Sequence, residues 1–183
     1  MILLTGETYS GKRTILTELK KYGFKEVVKY TTNTSYIDNK KYIYITKESF
    51  EEKIKLGFFV EYSVDSNGIY YGTSKEDYKE NSVLIVRPNT MKTLKTKIKD
   101  INIVTVYVKT TKHRRLERLS KREDIPVTNI FETIIKEQGE YFNIDNETDV
   151  VVYNQEKEDI ERSCRIIEIA SENLLWKEVS NIE

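Results

Sequence analysis

The stretch GETYSGKRT, residues 6–14, decides how this chain is read. Gly6, Gly11 and Lys12 satisfy the pattern Gly-x-x-x-x-Gly-Lys. Before it stands MILLT (1–5), a short apolar run that reads as a buried strand. After it comes KRTILTELKKYG, with Ile15, Leu16 and Leu19 at helical spacing and Gly23 as a stop. Strand, glycine-rich turn and helix form the context in which such a loop cradles phosphate. The glycines let backbone N–H groups converge on phosphate oxygens, the helix N-terminus adds a favourable dipole, and Lys12 adds a charge. The candidate cradle comprises Gly6, Glu7, Thr8, Tyr9, Ser10, Gly11, Lys12, Arg13 and Thr14. Arg13 stands where such a loop usually carries the Ser or Thr that touches Mg²⁺, and Thr14 follows it. That change weakens the metal contact more than the phosphate contact.

Outward from the loop, buried strands alternate with helical patterns. FKEVVKY (24–30) reads as one strand. SVLIVR (82–87), IVTVYVK (103–109) and DVVVYN (149–154) read as further buried strands, with helices at 90–99, 111–122 and 126–138 between them. A long C-terminal helix runs through EKEDIERSCRIIEIASENLLW, with Ile160, Cys164, Ile167 and Leu174 on one stripe. This alternation predicts an α/β fold on a parallel sheet. Residues 31–81 break the rhythm. TTNTSYIDNKK (31–41) is a polar loop and YIYI (42–45) is β-prone. TKESFEEKIKLG (46–57) predicts a helix with Thr46 as N-cap and Ser49 or Glu48 in its first turn. FFVEYSV and GIYYG predict two strands joined at DSNG. This segment reads as a small mixed α+β insert.

The whole chain bounds the function classes. Its 183 residues suit one domain. Lys+Arg and Asp+Glu both number 30, so no global field draws the chain to nucleic acid or membrane, and any anion site must be local. The start is too short for a signal segment, and no apolar run approaches a membrane span. Cys164 is the one cysteine, which excludes an internal disulfide and agrees with a reducing cytoplasm. His113 is the one histidine, so a structural zinc site is not expected and no residue is assigned as a metal ligand. The chain carries no signature of a particular oligomeric state.

Beyond the loop, the motifs YTTN (30–33), KKYIYITKESFEEKI (40–54), GFFVEY (57–62), NGIYYGTS (67–74), RLERLSKRED (115–124) and DVVVYN (149–154) occur in the order found in the guanylate kinases, which this chain resembles over almost its whole length. The resemblance implies a P-loop NTPase fold: core 1–30, 82–114 and 139–183, monophosphate-binding insert 31–81 and helical lid 115–138. It implies transfer of the γ-phosphoryl group of ATP, bound with Mg²⁺ on Gly6–Thr14, to GMP or dGMP on the insert. Glu61 matches the carboxylate that accepts hydrogen bonds from guanine. Tyr42 and Tyr71 match tyrosines that hold the GMP phosphate, although with 13 tyrosines in the chain only motif context singles them out. Thr73 matches a small hydroxyl residue near the base, and Gly72 allows close approach. Arg115, Arg118 and Arg122 share one face of a predicted helix. Arg118 and Arg122 resemble lid arginines that bridge donor and acceptor phosphates, the other reading being a solvated basic face. Asn154 resembles the Asn beside the donor adenine, or is simply a turn residue.

The likeness also fails in places. The family writes Thr-Thr-Arg-x-x-Arg before its insert, whereas this chain has Asn33 and Tyr36 at the arginine positions. Lys29, Lys40 and Lys41 are nearby cations without a guanidinium's fork. The family's aspartates around its third core strand are replaced by Ile85 and Arg87, leaving Asp124 and Glu61 as substitute carboxylates. Two other readings therefore stay open on the sequence: a catalytically weak binding or interaction module, and a kinase for a different nucleoside or deoxynucleoside monophosphate. A nucleic-acid partner would rest on the basic run 109–122 alone and is not expected.

Overall fold

The computed structural model describes residues 1–37, 42–121 and 127–179, with side chains for 1–37, 42–121 and 132–173. The chain begins with β1 (Ile2–Thr5), α1 (Lys12–Leu19), β2 (Lys25–Glu26) and β3 (Lys29–Thr31). It continues through β4 (Tyr42–Tyr44), α2 (Lys47–Lys55), β5 (Phe59–Val64) and β6 (Tyr70–Ser74). Then come β7 (Ser82–Ile85), α3 (Pro88–Lys97), β8 (Val104–Lys109), α4 (Lys112–Ser120) and α5 (Val127–Glu140). It closes with α6 (Ile144–Glu147), β9 (Val150–Tyr153) and α7 (Asp159–Val179).

Five strands form a parallel sheet in the order β2-β7-β1-β8-β9. Its centre, β1, is buried along its whole length, as expected for a strand covered by helices on both faces. Successive side chains point to opposite faces. Ile2 and Leu4 join Ile15, Leu16 and Leu19 of α1 and Cys164 and Ile167 of α7. Leu3 joins Met91 and Leu94 of α3 and Ile144 of α6. The C-terminal stripe read from the sequence thus packs as expected where its side chains are described. Burial also pushes the Cys164 thiol up to about 12, so this cysteine is an inert core residue.

The second sheet, β4-β3-β6-β5, is mixed: β3 and β4 run parallel, and β6 is antiparallel to both β3 and β5. Thr46 caps α2 by accepting the Ser49 N–H at 3.3 Å, so Ser49 rather than Glu48 completes the cap. The β5–β6 connection closes where Asp65 Oδ1 accepts the N–H groups of Asn67 and Ile69, both at 2.9 Å. Phe50 of α2 is fully buried and stacks on Phe59 of β5 at 4.2 Å.

The structure corrects one element. Residues 24–30 are not a single strand. Lys25–Glu26 pairs with β7 in the core sheet, while Lys29–Thr31 belongs to the second sheet. The buried Val27, whose N–H bonds Val83 O at 2.9 Å, ends the first pairing. The Thr31 hydroxyl, bonded to Tyr70 O at 3.0 Å, anchors the second. An apolar run reports burial but not which sheet buries it. The short α6 was also not legible in the periodicity. Among the described residues no helix is long and apolar enough to cross a membrane.

Leu4 is 0% exposed at the centre of the core sheet. Leu4→Ala is expected to cost about 2–5 kcal/mol, measured as a lower urea midpoint with an unchanged slope.

Candidate active site

The loop at residues 6–14 depends on two glycines. Gly6 has φ 151°, and a Cβ there would lie 2.7 Å from Val108 O. Gly11 has φ 93°, and its Cβ would lie 1.9 Å from Asn154 Nδ2. A side chain at Gly6 would strike backbone, and one at Gly11 would displace the Asn154 amide and strain a left-handed backbone. Tyr9, at φ 65°, takes a left-handed conformation unusual for a non-glycine residue.

The loop is held from behind. Asn154, 3% exposed at the end of β9, donates from Nδ2 to Ser10 O at 2.8 Å. Thr110 Oγ1 lies 2.9 Å from Ser10 O and 3.0 Å from Asn154 O. Arg118 of α4 donates to Tyr9 O at 3.2 Å and to Asn154 O and Gln155 O at 2.9 and 3.3 Å. These bonds put Arg118 on the loop's backbone. Arg13 turns outward and ion-pairs with Glu26, which also takes Lys20 at 2.7 Å. Thr14 is exposed.

Lys12 Nζ donates to Gly6 O and Glu7 O, both at 2.7 Å. Burial lowers its pKa to about 8, against the opposing pull of Glu137 and Glu7. A lysine disfavoured as a cation by its surroundings is poised to gain from an anion brought into contact with it.

Between the sheets lies a cleft of about 350 Å³. Gly6, Thr8 and Lys12 form one wall; Lys29, Tyr42, Glu61 and Tyr71 form the other. The structure therefore brings the loop and three of the sequence-predicted insert residues to one cavity. Thr73 is buried behind Glu61. Its hydroxyl donates to Glu61 Oε1 at 2.8 Å and is itself bonded to Tyr78 Oη. Among the described residues Glu61 Oε2 has no hydrogen-bond partner. Tyr42 packs against Tyr36 at 4.2 Å and edge-on to Tyr71 at 6.4 Å. Burial raises the Tyr42 phenol, so it remains a donor at neutral pH. Gly72 has a packing reason: a Cβ there would meet Phe50 and Phe59 at 3.0 Å.

Glu137 and Tyr141 line this cavity without having been singled out in the sequence. Glu137 of α5, 5% exposed, accepts the Thr8 N–H at 2.7 Å and the Thr8 hydroxyl, and ion-pairs with Arg115. Arg115 also donates from Nε to Thr8 O at 2.9 Å and approaches Glu7 at 3.4 Å. Arg115 is thus a structural tie between α4, the loop and α5. Arg87 and Tyr141 complete the cavity, and Arg87 is paired with Glu140 at 2.6 Å. The available signal was Glu137 falling at helical spacing between Ile134 and Tyr141. Arg122, Lys40, Lys41 and Asp124 lie outside the described residues.

Among the described residues no three His, Cys, Asp or Glu side chains are grouped to hold a metal ion. Glu7 and Glu137 are engaged by Arg115, and the position following Lys12 carries Arg13. These groups do not fit a protein-coordinated Mg²⁺.

The lowered Lys12 pKa has a stability consequence. Between about pH 8 and the unfolded value of 10.5 the folded state holds fewer protons than the unfolded, so Lys12 makes stability rise with pH across that window. Lys12→Met is expected to be more stable than wild type at pH 7 and to lose that advantage between pH 8 and 10.5. Urea titrations at pH 7, 9 and 10.5 without nucleotide measure it. Gly11→Ala, in contrast, should destabilise the protein at every pH in the same titrations.

A family model described as Guanylate kinase matches residues 1–172. A guanylate kinase of Mycoplasma genitalium is 30% identical over 160 residues, which cover 80% of this chain and 65% of that protein. A guanylate kinase of Wolinella succinogenes is 39% identical over 83 residues, covering 42% of this chain and 37% of that protein. The chain thus spans less than two thirds of either relative's length. Among solved structures, the guanylate kinase of Anaplasma phagocytophilum superposes with a TM-score of 0.61 at 17% identity, over 97% of this chain and 85% of its own. A shikimate kinase of Bacteroides thetaiotaomicron gives 0.52 at 14% identity, over 93% of this chain and 97% of its own. At such identities the likeness is one of fold.

Proposed function

This chain belongs to the guanylate kinase family, and on that premise we propose that it transfers the γ-phosphoryl group of ATP to the phosphate of GMP or dGMP. The observation that carries the proposal is the single cleft in which the loop lysine Lys12 faces Glu61, Tyr42 and Tyr71.

In this reading ATP places its phosphates on the backbone N–H groups of the loop and on Lys12, whose charge is worth most as negative charge spreads over the transferring group. Asn154 and Arg118 keep the loop in shape. Glu61 faces the Watson–Crick edge of guanine. Thr73 holds one carboxylate oxygen, and the carboxylate as a whole accepts from N1–H and the 2-amino group. Tyr42 and Tyr71 direct their hydroxyls to the acceptor phosphate. A strong base is not required, because positioning and charge neutralisation carry most of phosphoryl transfer. Mg²⁺ would arrive with ATP, held by phosphate oxygens and water and adding charge neutralisation at the phosphates. Closure of the cleft around the two nucleotides would exclude water as a competing acceptor.

Adenine presents an acceptor at N1 and has no 2-amino group, so it leaves the Glu61 carboxylate partly unpaired. The cost of an unpaired buried acceptor is about 1–3 kcal/mol. GMP and dGMP should therefore stimulate ADP release from ATP far more than AMP, CMP or UMP in a coupled assay. Glu61→Gln should shrink the preference for GMP over AMP, since an amide offers one acceptor oxygen. Equal stimulation by AMP and GMP would overturn the Glu61 assignment. If no monophosphate stimulates release, the protein is a binding module rather than this enzyme.

A further inference from the structure

The cleft contains three cations among the described residues: Lys12, Lys29 and Arg87. Two are accounted for. Lys12 is folded onto the loop, where it meets the donor phosphates in the proposed reaction. Arg87 is neutralised by Glu140 at 2.6 Å. Lys29 has no carboxylate within ion-pair distance among the described residues. Its Nζ donates to one backbone carbonyl, Ile85 O, at 3.2 Å.

The backbone places this ammonium with care. Lys29 opens β3 and is registered opposite Tyr42 on β4. Ile85 ends β7 and is registered opposite Leu4 on β1, which leads into the loop. The Lys29 side chain therefore crosses from the insert sheet to the end of the core sheet. Burial weighs against its charge, and Glu61 across the cleft opposes that only at longer range. A cation held in a half-dry cleft without a counter-ion is stabilised by an anionic ligand.

The neighbours do not compete for this role. Asn33 is uncharged and spends its side chain accepting the Ser35 N–H at 3.0 Å. Tyr36 lies against Tyr42. Arg13, which shares a smaller hollow of about 70 Å³ with Lys29 and Tyr42, is bound to Glu26.

We propose that Lys29 is the cation that holds the acceptor's phosphate, working with the Tyr42 hydroxyl beside it. This assignment rests on the guanylate kinase reading and extends it to a residue which that reading leaves without a role. An ammonium is a point charge with three donors and imposes no planar fork. The site would thus recognise the phosphate by charge and leave the base to Glu61.

Calorimetry with GMP and with guanosine separates the two contributions. Wild type should bind GMP more tightly than guanosine. Lys29→Met should weaken GMP by about ten- to a hundredfold, the usual effect of losing a hydrogen bond to a charged group. Guanosine and ATP affinities should be unchanged, and Lys29→Arg should recover most of the GMP affinity. As a check needing no variant, GMP but not guanosine should protect Lys29 of the wild-type protein from limiting acetic anhydride, read by peptide mass spectrometry. Undiminished GMP binding by Lys29→Met, an equal loss for guanosine, or acetylation of Lys29 unaffected by GMP would overturn the assignment while leaving the guanylate reading in place. A wild type that binds neither GMP nor guanosine would overturn that reading, and Lys29 with it.

Discussion

The amide of Asn154 donates to the carbonyl of Ser10 through the space that a Cβ on Gly11 would occupy. Much of the site depends on this contact. It joins the last strand of the core sheet to the loop after the first strand, across 144 residues of sequence. With Thr110 it holds the turn that starts α1, and the position of Lys12 follows from that turn. A buried amide with no such partner would be costly, so Asn154 and the loop conformation stabilise each other. Gly11 is required because its φ is left-handed and because the amide already fills the adjacent space.

Charge in the cleft is balanced by geometry. Arg115 lies between Glu7 and Glu137, and Glu137 in turn bonds to Thr8. These contacts tie α4, α5 and the loop into one unit whose acids and bases are largely matched. Arg87 and Glu140 form another matched pair at the rim. Among the described residues, what this leaves unmatched is positive on both sides of the cavity, at Lys12 and Lys29, and negative at Glu61. A ligand with anionic groups between the two lysines and hydrogen-bond donors facing Glu61 complements that pattern. A nucleoside monophosphate meeting a nucleoside triphosphate has this distribution. The chain's formal net charge of zero gives no hint of it, because the field is local.

The second sheet owes its position to aromatic packing. Phe50, Phe58, Phe59, Tyr30 and Tyr70 contact one another in stacked, tilted and edge-on pairs. Gly72 lets Phe50 and Phe59 close against β6. This small core sets the pitch of β5 and β6, and hence the direction from which Glu61 and Tyr71 reach the cleft.

Local signals in the sequence determined a good deal. The loop lies between an apolar strand and an amphipathic helix, and burial on both faces made the central strands continuously apolar, so the parallel α/β core was legible. The Thr46 cap and the DSNG turn were legible because each is closed by bonds within five residues. Glu61, Tyr42 and Tyr71 were legible only through motif order, since neither a strand glutamate nor a tyrosine is distinctive alone. Other features were decided by tertiary structure. The division of residues 24–30 between two sheets depended on which neighbours were available to pair with each half. Arg118 was expected as a lid arginine at the phosphates, and the fold supplies its partners, carbonyls of two distant segments at the loop. Glu137 drew attention only when it came within bonding distance of Thr8, 129 positions away, and Lys29, one of three nearby cations in the sequence, was singled out only by its bond to Ile85, 56 positions away. Local pattern encodes what a residue can form with its neighbours in sequence; the partner that sets a charged side chain's role is supplied by the fold.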